Sequence, residues 1–87
     1  MLSTKYIILD RDGVINHDSP SYIKSPHEWI PIDRSLDAIG LLTKLSYRVL
    51  LVSNQAGVSR GIIKYKDVLE THNKLITSCL EHGGEIF

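Results

Sequence analysis

The residues best suited to chemistry are two aspartates that directly follow a short apolar run, in the stretch YIILDRDGVINHD (residues 6–18). Residues i and i+2 of an extended chain face the same side, so Asp10 and Asp12 should point into one site while Arg11 points away. Neighbouring carboxylates repel each other, and either a shared Mg²⁺ ion or a single proton on one of them relieves that repulsion. With Mg²⁺ the pair can handle a phosphate; with a proton, one aspartate can attack while the other serves as acid and base.

A second polar stretch directly follows the apolar run at residues 48–52 and consists of Ser53, Asn54 and Gln55. If the two apolar runs form neighbouring parallel strands, Ser53 emerges beside Asp10, where its hydroxyl and the next backbone N–H can hold a phosphoryl oxygen. Arg60 is the only cation of this loop and has the fork geometry to bind a substrate phosphate. Each feature also has a purely structural interpretation: turn aspartates that cap a loop, a polar turn without a ligand, and a surface arginine.

The elements that would position these residues follow from the apolar patterns. Residues 5–9 predict a strand covered on both faces, because both of its faces are apolar. Residues 48–52 predict a second strand, and residues 85–87 the opening of a third. A long loop at residues 16–31, with three prolines and room for a small hairpin, separates the first strand from the first helix, and Trp29 with Ile30 should anchor its return.

Two helices complete the pattern. The first is predicted to begin at Asp33 as N-cap and to run to about Ser46, with an apolar stripe of Leu36, Ile39, Leu42 and Leu45. The second has the cleanest helical spacing in the chain and ends at Gly83–Gly84; its stripe consists of Tyr65, Val68, Leu69, His72, Leu75, Ile76, Cys79 and Leu80. This order of strands and helices favours an α/β domain with a parallel sheet. His72 is interpreted as a satisfied core or boundary histidine, and Cys79 as a small core residue.

Composition excludes several classes of function. The chain has 87 residues and zero formal net charge, so it forms at most one small domain and has no basic face for nucleic acid. Its apolar runs are far too short for a membrane span, and its N-terminus does not resemble a signal peptide. The single cysteine rules out an internal disulfide and a thiol-based zinc site, which fits a reducing, cytoplasmic setting.

Two motifs together carry a resemblance to a known family. DRDGVIN (residues 10–16) and VSNQAGVSRG (residues 52–61), with a helix between them, resemble the haloacid dehalogenase-like (HAD-like) superfamily of aspartyl phosphatases. Within it, the likeness is greatest to the branch of heptose-bisphosphate and histidinol-phosphate phosphatases, and it extends over residues 5–87. The resemblance implies a Rossmann-like fold, in which this chain is the N-terminal half of a single hydrolase domain.

The resemblance also implies roles for individual residues. Asp10 would be the nucleophile that forms an aspartyl-phosphate, and Asp12 the general acid and then the base. Mg²⁺ would be held at Asp10 and Asp12, by the carboxylate of the first and the backbone carbonyl of the second. Substrate would be bound by residues of the two loops: Ser53, Asn54, Gln55, Arg60, Asp18, Ser21 and Tyr22.

Three features of the family are missing from these 87 residues: a zinc-binding Cys/His loop, a lysine that neutralises the phosphoryl charge, and an acidic motif that completes the Mg²⁺ site. We therefore expect a partial parallel sheet of order 3-2-1 with an uncovered edge on the first strand, open to self-association. The expected substrate is a small phosphorylated metabolite, most of all a sugar phosphate such as heptose bisphosphate. The alternative is a non-catalytic module; a phosphatase acting on nucleic-acid ends is disfavoured by the neutral charge.

Overall fold

The computed structural model describes residues 4–19, 22–53, 61 and 63–87. In chain order it contains strand β1 (Lys5–Asp10), a 3-10 turn (Pro26–Glu28), helix α1 (Asp33–Lys44), strand β2 (Tyr47–Val52) and helix α2 (Tyr65–Glu81). The predicted α/β alternation is confirmed. No helix within these residues is long and apolar enough to cross a lipid bilayer.

The sheet consists of β1 and β2 in parallel. Their register runs from Lys5 opposite Tyr47 to Asp10 opposite Val52, so both strands end at the same edge. On its other side, Val49 of β2 forms a parallel bridge with Ile86, and the Phe87 backbone N–H donates to the Val49 carbonyl over 2.8 Å. The predicted order 3-2-1 is therefore present, with the third strand reduced to this bridge.

Only one face of the sheet is covered by the described residues. Ile7, Leu9 and Leu51 pack against a buried core to which β2 contributes Val49 and the two helices contribute Leu36, Ile39, Leu75 and Cys79. On the opposite face, Tyr6 and Ile8 are 52% and 65% exposed. The prediction that β1 is covered on both faces is wrong for this structure, because both helices pack on the same side.

The helices depart from their predicted stripes at particular residues. Asp33 is the first residue of α1 rather than its N-cap, which is Ile32 without a side-chain hydrogen bond. Leu45 lies beyond the last turn and is exposed, so it does not extend the stripe. In α2 one flank is buried, at Val68, Thr71, Leu75 and Cys79, whereas the other flank of the predicted stripe is exposed, at Tyr65, Leu69, Ile76 and Leu80.

Two glycines end α2 and return the chain to the sheet. Gly83 has φ +80°, the left-handed conformation that glycine adopts without strain. Its N–H donates to the Leu80 carbonyl, and the Gly84 N–H donates to the Cys79 carbonyl over 2.7 Å, the paired bonds of a Schellman motif. The predicted helix end is confirmed, and it directs the next residues toward β2.

Candidate active site

A tight turn at residues 11–16 builds the centre of the site. The Arg11 carbonyl accepts hydrogen bonds from the backbone N–H groups of Val14, Ile15 and Asn16, and the Gly13 N–H donates to the Asn16 carbonyl over 2.7 Å. Gly13 has φ +81°, which a side chain at this position would strain. Because β1 ends at Asp10, the alternation of an extended strand does not reach Asp12, and the turn sets its position instead.

Arg11 does not point away from the site. Its side chain is buried and makes a fork onto the Asp12 carboxylate, with Nε to Oδ1 at 2.7 Å and Nη2 to Oδ2 at 3.1 Å. The Asn16 Nδ2 adds a third hydrogen bond to Asp12 Oδ1, at 3.0 Å. The prediction that Arg11 faces outward is wrong, because β1 ends at Asp10 and the turn that follows directs the Arg11 side chain onto Asp12.

This arrangement decides the charge of the site. Burial raises the pKa of the Asp12 carboxyl, but the hydrogen bonds from Arg11 and Asn16 and the charge of Arg11 outweigh it, so that the pKa is lowered from its ordinary value. Asp12 is therefore ionised and forms an internally neutral pair with Arg11.

Asp10 lies where the predicted phosphate loop begins. It is the last residue of β1, paired with Val52, and Ser53 follows Val52 at the same edge of the sheet. Neighbouring strands lie about 4.8 Å apart, and Ser53 follows one residue beyond the Val52 that pairs with Asp10; its role at the site stays a prediction. Asn54, Gln55 and Arg60 lie outside the described residues.

The oxygen atoms at Asp10 and Asp12 fit a Mg²⁺ ion. Asp10 Oδ1 accepts the Arg11 backbone N–H at 2.7 Å, while its Oδ2 accepts no hydrogen bond from the described residues. The Asp12 backbone carbonyl likewise accepts no bond from the described backbone, whereas its carboxylate accepts three hydrogen bonds, two from Arg11 and one from Asn16. One carboxylate oxygen and one carbonyl oxygen are hard ligands of the kind Mg²⁺ takes alongside water and phosphate. Within residues 4–19, 22–53, 61 and 63–87, no three His, Cys, Asp or Glu side chains converge on a metal site.

The long loop closes beside this turn. Asn16 bridges Pro31 in antiparallel fashion, and the His17 N–H donates to the Ile30 carbonyl over 2.9 Å, so the two ends of the loop are paired as in a small hairpin. Trp29 is 1% exposed and is the predicted anchor, but Ile30 is 59% exposed and is not.

Two of the three candidate residues in this loop are described. Asp18 is exposed, and its Oδ1 accepts the Ser19 N–H at 2.8 Å. It also flanks the turn at residues 11–16, since a Cβ at Gly13 would lie 3.9 Å from the Asp18 Cβ. Tyr22 is half-buried with φ +67°, a strained conformation for a bulky residue. Ser21 lies outside the described residues.

A lysine that was not among the predicted site residues fastens this loop to α2. The Lys74 Nζ donates to the carbonyls of Pro26 and Trp29, over 2.8 Å and 3.0 Å, and lies 5.6 Å from the centre of the Trp29 ring. The loop is therefore held against α2 at Pro26 and Trp29.

His72 is a second residue that the sequence did not assign to the site. It is half-buried, and its Nε2 has no hydrogen-bond partner among the described residues, so it is a boundary histidine but not a satisfied one. Burial lowers its pKa, the charge of Arg11 lowers it further, and the charge of Asp12 raises it. The charges of Arg11 and Asp12 therefore act on the pKa of His72 in α2.

Known proteins resemble this chain in sequence. No protein-family model matches it. It is 44% identical over 82 residues to the D-glycero-beta-D-manno-heptose-1,7-bisphosphate 7-phosphatase of Neisseria meningitidis serogroup A, covering 94% of this chain and 44% of that protein. The enzyme of the same name from Pseudomonas putida is 45% identical, with 94% and 47% covered. The chain therefore spans less than half the length of these relatives.

Solved structures resemble this chain in fold, as the relatives above resemble it in sequence. The D,D-heptose 1,7-bisphosphate phosphatase of Bordetella bronchiseptica, solved with magnesium and phosphate, superposes with a TM-score of 0.92 at 42% identity, covering 95% of this chain and 46% of that one. A protein of Mesorhizobium loti described as HAD-like superposes with a TM-score of 0.83 at 28% identity, with 95% and 39% covered. The predicted resemblance is thus confirmed: in sequence and in fold, this chain matches slightly less than half of a HAD-like phosphatase of the heptose-bisphosphate type.

Proposed function

We propose that this chain carries the nucleophile and the acid/base residue of a Mg²⁺-dependent phosphomonoesterase that acts through an aspartyl-phosphate. The observation that carries the proposal is the contrast between the two aspartates. Asp10 stands at the end of a parallel strand, beside Ser53, and its Oδ2 is open to a substrate. The Asp12 carboxylate, in the turn that follows the strand, is held by Arg11 and Asn16. Ligands of open α/β sheets bind at this carboxyl edge.

The chemistry assigned to these side chains has two steps. Asp12 takes up a proton from solvent when the substrate binds; the Asp10 carboxylate then attacks phosphorus, the bond to the leaving oxygen breaks, and Asp12 gives that oxygen its proton. A water molecule then attacks the phosphoaspartate while Asp12 takes up its proton and returns it to solvent, which regenerates both carboxylates. Mg²⁺, when bound, neutralises the charge of the phosphoryl group. The Ser53 hydroxyl and the Asn54 N–H are assigned to donate hydrogen bonds to the oxygens of the phosphoryl group.

The proposed substrate is a small sugar phosphate such as heptose bisphosphate. The names of the relatives from Neisseria meningitidis and Pseudomonas putida support this class, and Asp18, Ser21, Tyr22, Gln55 and Arg60 are the residues assigned to recognise the sugar and its distal phosphate. Nucleic acid and membrane are not among the proposed partners. A cytoplasmic location and self-association along the free edge of β1 belong to the same proposal.

Two forms of the chain test it: residues 1–87 alone, and the same residues joined to the part of the Bordetella bronchiseptica phosphatase that lies outside the matched region. Each is assayed with heptose bisphosphate and with p-nitrophenyl phosphate, with Mg²⁺ and with EDTA. We expect Mg²⁺-dependent turnover in the joined chain and its complete loss in Asp10→Asn. The matched control is Asp33→Asn, at the exposed start of α1. Full turnover in Asp10→Asn would reject Asp10 as nucleophile.

The second candidate is a non-catalytic module that binds phosphate or Mg²⁺ weakly. The observation that favours it is that, within the described residues, no third His, Cys, Asp or Glu joins Asp10 and Asp12 in a group that could hold a metal ion. The same assay separates the two candidates. Turnover that depends on Asp10 supports the enzyme, whereas phosphate binding without turnover in both forms supports the module.

A further inference from the structure

The hydrogen bonds of the Asp12 carboxylate leave one position open. A carboxylate offers about four lone-pair positions, two on each oxygen. Oδ1 accepts two hydrogen bonds, from Arg11 Nε at 2.7 Å and from Asn16 Nδ2 at 3.0 Å. Oδ2 accepts one, from Arg11 Nη2 at 3.1 Å. The remaining position is therefore on Oδ2.

The two residues that hold this carboxylate are themselves fixed. Arg11 and Asn16 are 3% and 0% exposed, so neither can swing into solvent. The Asn16 Nδ2 also donates to the His17 carbonyl at 3.0 Å, and because both of its partners are acceptors, the amide has only one orientation that satisfies them. The planar guanidinium of Arg11 fixes both carboxylate oxygens at once, which a lysine at this position could not do.

We propose that Arg11 and Asn16 are positioning residues that hold Asp12 in a single rotamer and make Oδ2 the oxygen that exchanges a proton with the substrate. This inference rests on the proposed function. Oδ2 takes a proton from solvent when the substrate binds and passes it to the leaving oxygen as the bond to phosphorus breaks; it then takes a proton from the water that attacks the phosphoaspartate and returns it to solvent. Arg11 and Asn16 touch neither the substrate nor the transferred proton, and they act only through Asp12.

The orientation can be tested on residues 1–87 without turnover. The three-bond couplings between Hα and the two Hβ atoms of Asp12 report whether its side chain occupies one rotamer. We expect two clearly different couplings in the parent chain, and nearly equal, averaged couplings in Arg11→Gln and in Asn16→Ser. Arg34→Gln, in the exposed first turn of α1, is the matched control and should leave them unchanged. Unequal couplings that persist in both site variants would overturn the proposal.

Arg11→Lys keeps the charge but loses the fork, and it serves where Arg11→Gln does not fold, as judged by circular dichroism. In that case we expect partial averaging of the Asp12 couplings, because an ammonium group can hold only one carboxylate oxygen firmly. Couplings identical to those of the parent chain would show that the fork does not orient Asp12.

The role in catalysis is tested in the joined chain with two leaving groups. An alkyl phosphate needs a proton on its leaving oxygen, whereas p-nitrophenyl phosphate leaves as a stable anion. A general acid contributes about 10²–10⁴-fold, so we expect Arg11→Gln to lower kcat by about 10–100-fold for the alkyl ester and by less than about 3-fold for the aryl ester. Adding Arg11→Gln to Asp12→Asn should cause no further loss.

The outcomes separate this inference from the proposed function. An equal fall for both esters, or a further loss in the double variant, would show a general structural role for Arg11 and overturn the inference alone. Absence of turnover with either ester in the parent joined chain would reject the proposed function and the proton exchange together. The Asp12 couplings would still decide, independently, whether Arg11 and Asn16 fix the orientation.

Discussion

Replacement of Gly40 by alanine should destabilise the chain, although alanine is the better helix former. Gly40 is buried in α1 where the helix meets the end of α2. A Cβ at this position would lie 2.2 Å from the His82 backbone carbonyl oxygen, and Cβ atoms essentially never approach other atoms closer than 3.0 Å. The two backbones must therefore separate by about 0.8 Å, since a carbonyl oxygen cannot rotate away as a flexible side chain can.

The size of the effect follows from two opposing contributions. Alanine gains about 1 kcal/mol over glycine in a helix interior. Overpacking against a rigid partner costs about 3 kcal/mol, at the upper end of its usual range, because a gap of this size also weakens the contacts between neighbouring core side chains. The net loss in the free energy of unfolding is about 2 kcal/mol, which corresponds to a fall in Tm of about 8–16 °C for a domain of this length.

Urea unfolding and thermal melts of residues 1–87 measure this change. Ala38→Gly, at an exposed position of the same helix, isolates helix propensity and should cost about 1 kcal/mol. Gly83→Ala isolates the left-handed backbone, since a Cβ there meets no atom within 4 Å, and it should cost about 1–2 kcal/mol. A Gly40→Ala chain as stable as the parent, or more so, would refute the close approach of α1 to the end of α2.

Two further predictions concern residues behind the candidate site. Lys74→Met should release the loop from α2, because it removes the hydrogen bonds to the Pro26 and Trp29 carbonyls. We expect faster amide hydrogen exchange throughout the loop. In the joined chain, we expect a raised KM for sugar phosphate with little change in kcat. His72 should make the fold acid-sensitive, because burial lowers its pKa in the folded chain from 6.5. As the pH falls below 6.5, the unfolded chain therefore takes up a proton before the folded chain does. The free energy of unfolding decreases over this range and levels off below the folded pKa. His72→Gln should remove this part of the loss between pH 7 and pH 5 in urea unfolding.

Each of these predictions has a matched control. Lys66→Met removes an exposed lysine of the same helix, paired only at 3.8 Å with Glu70, and should leave loop exchange unchanged. Exchange as slow in Lys74→Met as in the parent would contradict the proposed fastening. His27→Gln, on the exposed 3-10 turn, should retain the acid sensitivity of the parent, and retention of that sensitivity by His72→Gln would show that another group causes it.

The sequence predicted the elements well where the apolar pattern is long. Both strands and both helices lie within a few residues of their predicted bounds, because hydrophobic periodicity reflects the burial that stabilises them. The sequence predicted burial wrongly at helix positions whose burial depends on which other elements pack against them. Leu45 and Ile76 lie on predicted stripes but are exposed, since each helix meets the rest of the described chain over a narrow contact.

The site was predicted less completely, for physical reasons that Arg11 illustrates. Asp10 and Ser53 could be placed together because parallel strands end at one edge. The inward fork of Arg11 could not be foreseen from alternation, since the strand stops at Asp10 and the turn after it redirects the next side chains. A buried arginine next to an aspartate needs a partner, and that requirement was the available signal. Lys74 and His72 gave no such signal, because their contacts depend on how the loop packs against α2.

The contacts that surround Asp12 have a consequence for the order in which the site forms. Every hydrogen bond to its carboxylate comes from a residue one or four positions away in the sequence, so no long stretch of chain has to be closed to make them. Ser53, by contrast, joins the site only after β2 pairs with β1. During synthesis, the hydrogen bonds around Asp12 can therefore form once residues 10–16 have left the ribosome, while Ser53 follows only 37 residues later.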